Sequence, residues 1–339
     1  MTTAVQSSWV ALVGNPNSGK TAIFNLLTGL NQKVSNYPGV TVEKKTGQAR
    51  FADGSKFYIL DLPGTYSLTA ESMDERIVTE QVLNWIHGHE PPGVIVSVVD
   101  ATNLSRNLYL TTQLADLGIP VVVALNMMDM VKDEIKIDLE KLANDLGIAA
   151  IVPMSATEKW GQKELLEAVQ KSIDTAFVEN PFPIFLNDDI SKVLNPLEEI
   201  FKSQLRYNER LAKAQALRLV TRQSTLEIYD EMSANGFTAD EAFMNTLRDK
   251  RQAAVDLLED TGIKHRIMEA TLRYEWLDSV LTAAKINIDP QIAEANYSEN
   301  LDRLLTHKWA GPAIFVLLLY FFFQSICGFN YIFFGTSFF

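Results

Sequence analysis

One cysteine, Cys327, is the whole cysteine content of the 339 residues, so no internal disulfide can form and no cysteine-based metal cluster can be built. That usage suits a reducing compartment. Basic residues are also in short supply, with 30 Lys and Arg against 42 Asp and Glu and a formal charge of −12. Proteins that grip nucleic acid neutralise its phosphates with clustered Lys and Arg, so this balance argues against nucleic acid as a partner. Met1 to Trp9 lack the basic start and apolar run of a signal peptide. The N-terminal part is therefore expected to stay in the cytoplasm. A fourth absence is local: no charged residue follows Lys308.

That charge-free tail reads as a membrane segment. Pro312 stands where a helix would start, Ala313 to Cys327 is apolar all round, and Tyr320 to Phe323 are four aromatic residues in a row. A helix from Pro312 to about Phe334 would span roughly 35 Å, enough for the hydrocarbon core of a lipid bilayer. Gly328 and Gly335 are placed to bend or end it. A buried core helix would be shorter and would rarely lack charge for so long. Arg303, His307 and Lys308 precede the segment, which by the positive-inside rule places residues 1–308 in the cytoplasm. Cys327 reads as apolar packing within it.

The apolar fraction of 47% supplies more than one core at this length. From Trp9 to about Ile173, β-branched runs alternate with amphipathic stretches, the rhythm of a parallel α/β sheet. The runs are Trp9–Val13, Val94–Val99, Val121–Leu125 and Ala149–Val152. Thr41–Phe51 and Lys56–Leu60 flank the turn-like Ala52-Asp53-Gly54-Ser55 and read as a hairpin, so the sheet is expected to be mixed, with one antiparallel strand. After Glu179-Asn180-Pro181-Phe182-Pro183 the strand signal ends and helix-forming sequence runs to about residue 285. Ile267, Ala270, Tyr274, Leu277 and Leu281 recur there at helical spacing and predict a packing face. The expected division is a nucleotide-binding domain over 1–178, a small all-α domain over 179–290, a linker over 291–311 and a transmembrane segment over 312–339.

The first domain carries the chemistry. Gly14-Asn15-Pro16-Asn17-Ser18-Gly19-Lys20-Thr21 fits the phosphate-loop pattern between an apolar strand and a helical pattern. Its glycines let backbone N–H groups point at the β-phosphate, Lys20 supplies charge to the β and γ oxygens, and Thr21 offers a hydroxyl to Mg²⁺. Asp61-Leu62-Pro63-Gly64 follows a strand, placing Asp61 to hold Mg²⁺ through water and the Gly64 N–H to sense the γ-phosphate. Asn126-Met127-Met128-Asp129 is placed as a base-reading loop, where the Asp129 carboxylate accepts both adjacent donors of guanine. Ser155-Ala156-Thr157 can bring a backbone N–H to the guanine oxygen. In Asn36-Tyr37-Pro38-Gly39-Val40-Thr41-Val42-Glu43, Thr41 is the candidate sensor that reaches Mg²⁺ while the γ-phosphate is present. The phosphate-loop pattern is moderately specific by itself, while Asp-x-x-Gly alone is a common turn and Ser155-Ala156-Thr157 alone is weak; four ordered motifs predict a guanine-nucleotide site, with Lys20, Thr41 and Gly64 nearest the chemistry.

Where Ras-type enzymes place a water-orienting glutamine, Thr65 stands, so slow intrinsic hydrolysis is expected. No arginine in the switch loops is an obvious finger. A monovalent cation could meet the charge developing between the β and γ phosphates, and Asn17 would be its side-chain ligand.

These motifs, with the stretch Val99-Asp100-Ala101-Thr102-Asn103-Leu104, the run Arg273-Tyr274-Glu275-Trp276 and Leu301 to Lys308, resemble the bacterial ferrous-iron transport protein B (FeoB) family. The resemblance covers nearly the whole chain and is most specific in the first 160 residues. It implies a P-loop GTPase, a GDI-like helical domain that tunes nucleotide affinity, and a multi-pass inner-membrane domain carrying Fe(II) into the cytoplasm. It also implies potassium-assisted hydrolysis with Asn17 as an ion ligand, and it supports Thr41 on Mg²⁺. A homo-oligomer around a shared pore is one arrangement it allows. Family members continue through many membrane helices, so the chain reads as a fragment ending at Phe339 and any iron-path residues as lying outside it. Two readings of function stand: the GTP-hydrolysing part of an iron transporter, or a membrane-tethered GTP-binding regulatory module that is not itself a transport engine. A soluble ribosome-assembly GTPase shares the motifs but not the acidic balance or the charge-free tail.

Overall fold

The computed structural model describes residues 9–29, 32–37, 42–69, 72–87, 90–131, 137–175, 180–234 and 241–284, together with Pro312, Ile314, Phe315, Leu319 and Tyr320. Residues 1–286 form one compact unit and residues 287–339 a second. In the second unit the five described residues are helical; the rest of the expected membrane segment, including Cys327, lies outside the described residues. Among the described residues no helix is long and apolar enough to cross a membrane.

The first unit opens with β1 (Trp9–Gly14), α1 (Lys20–Thr28), β2 (Gln32–Asn36), β3 (Glu43–Arg50), β4 (Lys56–Asp61) and α2 (Met73–Ile86). It continues with β5 (Val94–Asp100), α3 (Leu104–Ala115), β6 (Val121–Asn126), the short α4 (Met128–Val131), α5 (Leu139–Leu146), β7 (Ala150–Pro153) and α6 (Gln162–Asp174). The strands form one sheet in the order β2-β3-β4-β1-β5-β6-β7. β3 alone runs against the others, pairing antiparallel with β2 and, in the register Lys45 to Asp61 through Arg50 to Lys56, with β4. This mixed sheet with flanking helices is the P-loop GTPase architecture.

Continuous apolar runs make the central strands, because both faces of the sheet are covered. Side chains alternate between two cores: Val10, Leu12, Val94, Val96 and Val98 pack with Ile23 and Phe24 of α1 and with Leu165 and Val169 of α6. Ala11, Val13, Ile95 and Val99 face the other way, into a core shared with α2, α3, α5 and the helices that follow. β2 was not expected from the sequence. Its five residues are all exposed at the sheet edge, so no inward alternation marks it.

Residues 180–187 form no helix, and then the chain is helical: α7 (Asp188–Leu205), α8 (Glu209–Thr221), α9 (Gln223–Ala234), α10 (Glu241–Asp260) and α11 (His265–Ala284). Asn187 and Asn208 cap α7 and α8, accepting from the N–H of Ile190 and Leu211, which satisfies donors the helix start leaves free. The expected face of α11 is corrected by the structure. Leu277 and Leu281 are buried, but Ile267 is 54% and Tyr274 37% exposed, and the helix instead buries Glu269 and Arg273. Charged side chains pack there because oppositely charged partners meet them, which apolar periodicity cannot register.

Candidate nucleotide site

The loops singled out in the sequence gather at the C-terminal ends of β1, β4, β6 and β7, the edge at which parallel α/β sheets bind ligands. β1 ends in Gly14, residues 15–19 turn, and α1 begins at Lys20. Ser18 closes the turn, donating to the Asn15 carbonyl from both its N–H (3.2 Å) and its hydroxyl (2.8 Å). Gly19 has φ of +86°, and a Cβ there would fall 2.1 Å from Asn126 Nδ2. Only glycine fits that approach. Asn17 is also left-handed, at φ 66°, and its side chain lies at the exposed tip with Pro16.

Lys20 Nζ is ion-paired with Asp61 Oδ1. Burial pushes the Asp61 carboxyl up, while Lys20 and then Lys45 oppose the rise. The loop after β4 is pinned to β1: the Leu62 N–H donates to the Leu12 carbonyl (3.0 Å) and the Thr65 N–H to that of Gly14 (3.2 Å). Gly64 lies against the phosphate loop, where an added Cβ would come within 3.3 Å of Pro16 Cα. Pro63 beside it is half-buried. Thr65 turns inward, buried, its hydroxyl donating to the Ser67 carbonyl at 2.7 Å. Thr21 is exposed on the first turn of α1. Thr21 and Asp61 are hard oxygen donors on adjoining elements, a donor set that fits Mg²⁺.

Asn126 ties the loops at 126–129 and 155–157 to the loop after β1. Its Nδ2 donates to the Ser18 carbonyl and its Oδ1 accepts from the Ala156 N–H, both at 3.0 Å. Met127 follows at φ 63°, Met128 donates its N–H to the Met154 carbonyl at 3.3 Å, and Asp129 is half-buried on the short α4. Ser155 is buried, its Oγ accepting from the Glu158 N–H at 3.1 Å, with Thr157 exposed beside it. Thr41, the expected sensor, and residues 38–40 lie outside the described residues. Tyr37 and Val42 close the base of that loop with a 2.9 Å N–H to carbonyl bond. The Tyr37 ring is buried, and burial followed by the Asp61 charge pushes its hydroxyl pKa up.

Residues 8–169 match the sequence model described as Ferrous iron transport protein B. A curated relative, the Fe(2+) transporter FeoB of Legionella pneumophila (strain Paris), is 34% identical over 320 residues, covering 91% of this chain and 38% of that one. The structure of the cytosolic domain of L. pneumophila FeoB superposes with a TM-score of 0.66 at 34% identity, covering 82% of this chain and all of that one. A mutant S. thermophilus NFeoB bound to mGDP gives 0.64 at 31% identity, again over 82% of this chain and all of the other. The chain belongs to the ferrous iron transport protein B family. It spans about 38% of the length of the L. pneumophila relative.

Within this FeoB-family chain one group of buried charges was not expected from the sequence, where Arg273 entered only as part of the run Arg273-Tyr274-Glu275-Trp276. Asp116, just past α3, accepts from Arg210 Nε of α8 (3.0 Å) and from Arg273 Nη2 of α11 (2.7 Å). Arg273 Nε also donates to Glu269 Oε1 (3.2 Å), and Arg218 of α8 lies 3.9 Å from the same oxygen. Burial would raise the Glu269 pKa, but Arg273 and Arg218 overcome it and hold the carboxyl below its ordinary value. Single charged residues scattered over three helices form no motif, so only the fold brings them together.

Proposed function

We infer that this chain is the GTP-binding and GTP-hydrolysing cytoplasmic part of a ferrous-iron transporter of the bacterial inner membrane, with nucleotide state gating Fe(II) uptake through membrane helices. The observation that carries the reading is the convergence of four loops, at Gly14–Thr21, Asp61–Gly64, Asn126–Asp129 and Ser155–Thr157, on one edge of the sheet, with Asn126 bonded to the first and the last and the second tied to the first by the Lys20–Asp61 pair and the Thr65 N–H. The FeoB-family relatives, among them the transporter from L. pneumophila and the mGDP-bound NFeoB, support extending it to guanine nucleotide and iron.

In this reading backbone N–H groups of residues 17–20 bind the phosphates, aided by the start of α1. Lys20 exchanges its partner Asp61 for phosphate oxygens, which frees the Asp61 carboxylate. Thr21, Asp61 and Thr41 would hold Mg²⁺, which when bound neutralises charge on the β and γ oxygens. Asn17, exposed at the loop tip, would offer its side-chain oxygen to potassium. The Gly64 N–H reports the γ-phosphate, and Asp129 selects guanine by accepting its two adjacent donors. Thr65, turned inward onto Ser67, leaves no side chain there to orient water, so unassisted hydrolysis is slow. The test is GTP hydrolysis in matched potassium and sodium buffers containing Mg²⁺, for wild type and Asn17→Ala. Stimulation by potassium that vanishes in the variant is expected; equal rates in both salts would remove the cation from the mechanism.

A further inference from the structure

Residues 64–69, switch II in the GTPase reading, are attached to more than the nucleotide loops. Leu68, four residues beyond Gly64, donates its backbone N–H to Oε1 of Gln113 on α3 at 2.8 Å. The other end of that amide, Nε2, donates to Oε1 of Glu269 on α11 at 2.9 Å. All three residues are buried, so neither bond competes with water. Two other α3 residues make ring contacts here: Arg106 lies over the Tyr66 ring at 4.4 Å, and Tyr109 stacks on Tyr274 of α11 at 4.9 Å. Gln113 bonds both to Leu68 and to α11.

Its two partners fix its orientation. A carboxylate only accepts and a backbone N–H only donates. Turning the amide over would set oxygen against the Glu269 carboxylate and N–H against N–H, losing both bonds. The charge on α11 therefore determines that an acceptor waits for Leu68.

We propose that Gln113 is a positioning residue for GTP hydrolysis, holding the switch II backbone at Leu68 in an orientation imposed by Glu269, so that a shift of α11 is felt in the segment that carries Gly64. This rests on the GTPase reading above and names the regulation of that site. The two side-chain bonds of Gln113 go to Leu68 and Glu269 and to neither the phosphate loop nor the base loops; its effect should fall on turnover and not on nucleotide capture.

The test uses the full chain as wild type, as Gln113→Met, which keeps the volume and removes both bonds, and as the double variant Gln113→Glu with Glu269→Gln. The double variant rebuilds both bonds with the charge moved to α3: the new carboxylate accepts from Leu68 and from the new amide. Two quantities are read, hydrogen exchange of the Leu68 amide without nucleotide and the steady-state kcat and KM for GTP, with exchange in β5 as the folding control. Gln113→Met should speed Leu68 exchange and lower kcat, each on the order of tenfold, with KM within about twofold of wild type. The double variant should recover most of both. Wild-type exchange and kcat in Gln113→Met, or a double variant no better than the single, would overturn the proposal. A wild type that hydrolyses no GTP would overturn the activity reading and the role in hydrolysis together, whereas normal wild-type turnover with unchanged Leu68 exchange would overturn the positioning alone.

Discussion

Arg273→Met removes the hub of the buried charge network while keeping an unbranched side chain of similar length. Arg273 is fully buried and donates to Glu269 at 3.2 Å, to Thr112 at 3.4 Å and to Asp116 at 2.7 Å. Removing one partner of a buried ion pair costs about 3–5 kcal/mol, because the remaining charge has lost water without compensation. Here Asp116 keeps Arg210, and Glu269 keeps Gln113, so the cost belongs at the lower end, about 3 kcal/mol. The comparison is Arg76→Met on α2. Arg76 pairs with Glu80 and Glu231 but is 27% exposed, which limits its worth to about 0–1 kcal/mol. Urea unfolding followed by tryptophan fluorescence measures both, through Trp85 on α2 and Trp276 on α11. At a slope of roughly 3 kcal/mol per molar urea, the Arg273→Met midpoint should fall by about 1 M and the Arg76→Met midpoint by less than about 0.3 M. Midpoints of the two variants that coincide would refute the claim that burial of this network, and not mere ion pairing, sets its contribution.

Three further outcomes follow from the same geometry. Asn126→Ala deletes both bonds that join the phosphate loop to the Ser155–Thr157 loop, so release of a fluorescent GDP in stopped flow should speed by on the order of tenfold or more; unchanged release would mean the loops hold without it. Asp129→Asn replaces an acceptor by a mixed donor and acceptor, so GTP affinity should fall at least about a hundredfold while xanthosine triphosphate, with a carbonyl where guanine has its amine, gains; competition binding with the two nucleotides reads this. Glu269 is held below its ordinary value of 4.5, so its contribution to stability is present above that pH and is lost as pH falls through the depressed folded value. Urea midpoints measured from about pH 6 downward should therefore fall less steeply for Glu269→Gln than for wild type.

The sequence is legible wherever local chemistry is repeated over several neighbours. Val94–Asp100 and Val121–Asn126 are apolar on both faces and could only be central strands, and the phosphate loop is a run of consecutive residues whose strand and helix flank it directly. β2 is the opposite case: Gln32-Lys33-Val34-Ser35-Asn36 pairs with β3 through backbone alone and buries none of its side chains. An edge strand of that kind is held by its neighbour and leaves no trace in hydropathy.

Helix α11 shows why periodicity can misplace a face. Its sequence carries two candidate stripes, one through Ile267 and Tyr274 and one through Glu269 and Arg273, both at helical spacing. Hydropathy favours the first, yet the chain exposes Ile267 and Tyr274 and buries Glu269 and Arg273 beside Leu277 and Leu281, because the cost of taking those charges from water is offset by their own pairing and by Asp116, Thr112, Arg218 and Gln113, four partners distant in sequence. An apolar stripe would have packed against any apolar surface; this one fits only where those partners stand together. The consequence is a specific docking of α11 on α3, and it is through that docking that a bond reaches Leu68. The feature least readable from sequence is thus the one that joins the helical bundle to the switch.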